Sequence, residues 1–138
     1  MNRQLFLARF LISLVLFVNL QAAVLFFISP QRYAPSFQLS GVTGPFVIQS
    51  IAVLFLMWTV PYFFAAINPI KYRVSLVQAV IMQIIGVVGE SLIYLNLPEK
   101  LNILKLSLQR FILFDSTGVL LLIAAFLLVR PQINHEQS

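Results

Sequence analysis

The chain contains no cysteine, one histidine and only four acidic residues among its 138. Without thiols there is no disulfide framework, no thiolate nucleophile and no sulfur-ligated metal site. The single histidine, His135, stands in the polar tail QINHEQS, so no histidine pair is on offer to haem or to a metal ion. Ser91 beside Glu90 likewise lacks the histidine of a hydrolase triad. The five glycines, Gly41, Gly44, Gly86, Gly89 and Gly118, compose no phosphate-cradling loop. Charge itself is scarce: 9% of residues carry one, against roughly 25% in a soluble domain. The solvent of this chain must be mostly lipid. A net charge of +5 would point a soluble protein toward nucleic acid. Here the basic residues flank apolar runs, where Lys and Arg meet lipid headgroups. No basic patch is interleaved with aromatics, so no nucleic-acid partner is expected.

What is present is hydrophobic sequence, 60% of the chain, divided into four runs. The first spans about 5–28; it is longer than the apolar core of a signal peptide and has only Ala22-Ala23 as a poor cleavage site, so an uncleaved helix is expected. Residues 29–44, with two prolines and two glycines, have loop composition. Tyr33 and Phe37 could lay that loop along the membrane interface. The second run, 45–67, contains Pro61 and closes at Asn68-Pro69. A short basic connection with Lys71 and Arg73 makes the second and third runs antiparallel neighbours. The third run is 74–95; the fourth, 106–129, ends at Arg130-Pro131. Each is long enough for a hydrocarbon core of about 30 Å. Lipid tolerates no unpaired backbone, so the expected fold is all-α, an integral membrane antiparallel four-helix transmembrane bundle forming a single domain over 1–138. Arg3, Arg9, Lys71, Arg73 and Arg130 share one end, while Arg32, Lys100, Lys105 and Arg110 share the other. The excess favours N- and C-termini on the cytoplasmic side.

Polar residues inside the runs are the candidate site. At 1.5 Å per residue, Glu90 lies roughly 7 Å from the outer end and Gln49 roughly 6 Å, with Asn19 and Gln21 at about 10–14 Å and Asp115 at about 6–14 Å. Trp58, Tyr62 and Gln78 fall in the inner half, where Trp58 and Tyr62 read as packing or interfacial anchors. Gln83, Gly86, Glu90 and Tyr94 recur at helical spacing and extend a stripe from Ala79; Phe111, Asp115, Gly118 and Leu122 form a comparable stripe. Arg110 is poorly placed to pair with Asp115 on its own helix, but can reach toward Glu90 on the neighbouring one. Glu90, Asp115, Gln83, Gln49, Asn19, Gln21, Tyr94 and Arg110 therefore define a polar layer in the outer half. Three readings stay open: a satisfied network that sets helix register, a pocket for a lipid headgroup or quinone capped by the first loop, and two carboxylates sharing a proton.

Arg9 opening the first run, Pro30 just after it, Gly41-Val42-Thr43-Gly44 before the second, the turn Ala66-Ile67-Asn68-Pro69-Ile70-Lys71-Tyr72-Arg73, and Asp115 together resemble the DoxX-like group of small bacterial four-helix membrane proteins. Ser13 and Asn19 stand where that group usually has glycines. The resemblance implies an up-down bundle in a bacterial cytoplasmic membrane; some relatives are subunits of quinone-linked oxidoreductases. The expected role is an accessory or scaffold subunit, or a homo-oligomer, without a catalytic constellation. Its partners would be membrane lipids and other membrane subunits, with lipid or quinone binding as the alternative. No cofactor is specified.

Overall fold

The computed structural model describes residues 3–135, with side chains described from 3 to 131. His135 therefore lies outside the described side chains. Four long helices carry the fold: α1 (Arg3–Ile28), α3 (Thr43–Ile67), α4 (Arg73–Asn96) and α5 (Asn102–His135). All four are long and apolar enough to cross a membrane. A one-turn helix, α2 (Pro30–Tyr33), follows α1 directly. Each long helix packs against its two neighbours in the order α1, α3, α4, α5, closing α5 back on α1. The protein is an all-α, antiparallel four-helix bundle, and its exterior is Phe, Leu, Ile and Val suited to lipid.

Periodicity decides which face of each helix turns inward. On α1 the buried residues are Ala8, Ile12, Val15, Asn19, Ala23 and Phe26, a stripe at i+3 and i+4. In the half of the bundle nearer the start of α1, called inner below, this stripe meets Tyr62 and Ala65 of α3, Leu76 and Ala79 of α4, and Leu122, Ala125 and Val129 of α5. Each helix contributes a fully buried alanine here. Short side chains let the backbones approach, which is how helices gain packing energy in lipid.

The helix ends show how the turns were specified. Asn68 Oδ1 accepts from the amides of Ile70 (3.1 Å) and Lys71 (3.0 Å), fixing the α3–α4 turn. Arg9 Nε donates to the carbonyl of Ala66 at 3.0 Å, placing a cation on the last turn of α3. The residues after α1 are more ordered than their loop composition suggests. α2 is followed by a 3-10 turn, Ala34–Phe37, and Pro30 and Ala34 are buried. The rings of Tyr33 and Phe37 both pack on Phe26, with centroids 4.7 and 5.8 Å away. Ser107 Oγ donates to Ser36 O at 2.5 Å, and Gln38 Oε1 accepts from the Leu104 amide at 3.1 Å. That amide belongs to the first turn of α5, where no intrahelical acceptor exists. This support explains why α5 begins at Asn102 rather than near 106. At its other end α5 continues through Pro131, which removes only one intrahelical donor.

Candidate functional site

Above the inner core a hydrogen-bonded chain crosses three helices. The hydroxyl of Tyr62, fully buried on α3, donates in a short contact to Gln83 Oε1 and lies 3.3 Å from Ala79 O. Gln83 Nε2 in turn donates to Asp115 Oδ1 at 2.7 Å. Glycines make room for it. A Cβ on Gly118 would lie 2.5 Å from Gln83 Nε2, and one on Gly86 would overlap the Asp115 carboxylate. Each of α4 and α5 thus offers a polar residue and, three positions on, the glycine that receives the other helix's polar side chain.

Beside Asp115 the helices enclose a cavity of about 220 Å³. Helix α1 supplies Val18, Asn19 and Ala22; α3 supplies Phe55 and Trp58; α4 supplies Glu90 alone. Helix α5 supplies Arg110, Phe111, Phe114 and Asp115. Val18 and Arg110 are exposed, Glu90 is partly buried, and Asn19 is 5% and Asp115 8% exposed. Two polar atoms remain buried without a hydrogen bond: Asn19 Nδ2 and Glu90 Oε2. Both belong to lining residues of this one cavity. Among the described residues no ion pair joins Arg110 to either carboxylate. Phe55 and Phe111 approach across the bundle's diagonal with centroids 5.9 Å apart, and both contact Phe26. The wall therefore continues into the aromatic cluster covered by Tyr33 and Phe37.

Of the eight residues expected in the polar layer, Asn19, Glu90, Arg110 and Asp115 come together around the cavity, with Gln83 bonded behind Asp115. The other three do not join them. Gln49 Nε2 donates to Phe27 O at 3.1 Å, closing the last turn of α1. Gln21 is exposed, because two residues from Asn19 is the opposite side of a helix. Tyr94 accepts from Gln109 Nε2 at 2.7 Å on the α4–α5 surface, away from the cavity. Tyr62, expected with Trp58 as a packing or interfacial anchor, is fully buried in the inner core and also starts the polar chain, while Trp58 adds to the cavity wall. The usable signal was phase: Tyr62 falls on the same buried stripe as Ile48, Ala52 and Ala65.

Compared with protein-family models, with curated proteins and with solved structures, the chain gives no match. The bundle and its cavity are therefore what can be said of function.

Proposed function

We propose that this protein binds the polar head of an amphipathic molecule, a membrane lipid or a quinone, in the cavity between its four helices. One observation carries the proposal. A free donor, Asn19 Nδ2, and a free acceptor, Glu90 Oε2, belong to residues from different helices that line the same space. Leaving such groups unpaired in an apolar interior costs about 1–3 kcal/mol each, and a bound head supplies their partners. No reaction is assigned to the chain. The setting that fits the DoxX-like resemblance is a bacterial cytoplasmic membrane with both termini inside, which reporter fusions at the two ends would test. For binding itself, the protein is purified from native membranes and its extracted lipids and quinones are measured by mass spectrometry. The expected result is a stoichiometric amphiphile, reduced severalfold in Asn19→Leu and Glu90→Gln. Unchanged content in both variants would reject the cavity as the site.

A second reading, as an accessory subunit or homo-oligomer, is favoured by Gln21 and Gln78, which are exposed on the membrane-facing surfaces of α1 and α4. Amides in hydrocarbon are satisfied by neighbouring helices. A monomer in mild detergent, free of co-purifying subunits, would remove this reading.

A further inference from the structure

The unpaired groups of the cavity do not all ask for the same partner. Glu90 Oε2 needs a donor or cation, and Asn19 Nδ2 needs an acceptor. Asp115 adds a second carboxylate, already holding the Gln83 amide on Oδ1. Two carboxylates in a low-dielectric interior are costly until a cation joins them. Phe55, Trp58 and Phe111 line the same space, and aromatic rings attract cations. Arg110, at the exposed edge of the lining, has no ion-pair partner among the described residues and offers a fork suited to phosphate. A quinone ring carries no cation to set against the Glu90 and Asp115 carboxyls. The volume of about 220 Å³ is below the roughly 300–1,000 Å³ that encloses a whole drug-sized ligand. It suits a small head whose tail stays in the bilayer.

Resting on the cavity reading above, we infer that the ligand is an aminophospholipid. Its ammonium is held by Glu90 and Asp115 against the aromatic wall. Its phosphate oxygens take the Asn19 amide and the Arg110 guanidinium, and its acyl chains remain in lipid. Such a head pairs each unsatisfied group with its complement.

The test is native mass spectrometry of the full chain, delipidated and then offered an equimolar mixture of phosphatidylethanolamine and phosphatidylglycerol. Phosphatidylethanolamine should be retained roughly tenfold over phosphatidylglycerol, the size of one charge-assisted contact. Glu90→Gln should bring the two near parity. Arg110→Gln, at an exposed residue with no hydrogen bond or ion pair to lose among the described residues, should weaken retention of both lipids. Equal retention by the wild type would overturn the aminophospholipid inference, while the cavity reading survives if Asn19→Leu still strips the bound lipid. Retention indifferent to Asn19→Leu and Glu90→Gln would overturn both. Excess soluble phosphoethanolamine should leave the lipid in place; displacement would reassign the site to the soluble head.

Discussion

The inner and outer halves of the bundle are built on different principles. The inner half is held by alanines and medium aliphatics: Ala8, Ala65, Ala79 and Ala125, one from each helix, are fully buried beside Ile12, Leu76 and Leu122. The outer half is held by rings. Phe26, Phe37, Phe55 and Phe111 cluster beneath the segment that follows α1, and no residue of α4 enters that cluster. Small residues let four helices close on one another, whereas bulky rings on three of them wedge the helices apart. What remains is a space beside α4, lined by Asn19, Glu90, Arg110 and Asp115. The contrast separates a close-packed half from a cavity-bearing half along the helix axes. The Tyr62–Gln83–Asp115 chain marks the boundary.

Substitutions can break or sharpen that division. The largest effect is expected from Leu122→Ala in the inner core, a loss of about 2–5 kcal/mol in unfolding measured in mixed micelles. Phe111→Ala should cost less, because its ring is only half buried and already borders a void. Equal costs would mean that the halves do not differ as described. Next comes Gly118→Val, which drives a methyl group into the Gln83 amide. Overpacking there should destabilise by about 1–3 kcal/mol, visible as a lower unfolding midpoint. At the boundary, Gln83→Leu strips Asp115 of its partner and leaves Tyr62 only the longer contact to Ala79 O; it should cost about 1–2 kcal/mol, against about 0.6 for Tyr62→Phe. The double variant should be no worse than Gln83→Leu alone, since both changes break the same chain. Additive losses in that cycle would show the two bonds to be independent. The smallest change in stability is expected from Glu90→Gln, within about 0.5 kcal/mol of the wild type, combined with the loss of bound lipid. A large loss of stability there would make Glu90 part of the structural half.

Much of this architecture is written in local pattern. The four runs and their ends could be read to within one or two residues for α1, α3 and α4, because apolar length and turn chemistry at Asn68-Pro69 are properties of short segments. The stripe from Ala79 through Gln83 and Gly86 to Glu90 was equally visible, being a matter of helical phase. What escaped was anything that depended on a partner far along the chain. Residues 29–44 read as a loop because their order comes from Phe26 behind them and from Leu104 and Ser107 ahead. Gln49 and Tyr94 had the depth and polarity of site residues, yet their partners are a helix end and a surface amide.

The sequence by itself determined that this chain lives in a bilayer as four helices, and that Glu90 and Asp115 had to be accommodated inside them. Hydropathy and period act through each segment's own solvent and need no knowledge of the others. Only the tertiary structure decided that Asp115 is held by Gln83, that Glu90 and Asn19 are left unpaired, and that the space between them is walled by rings from α3 and α5. Those outcomes depend on which side chains meet across three interfaces at once, a geometry fixed by packing, not by any one helix.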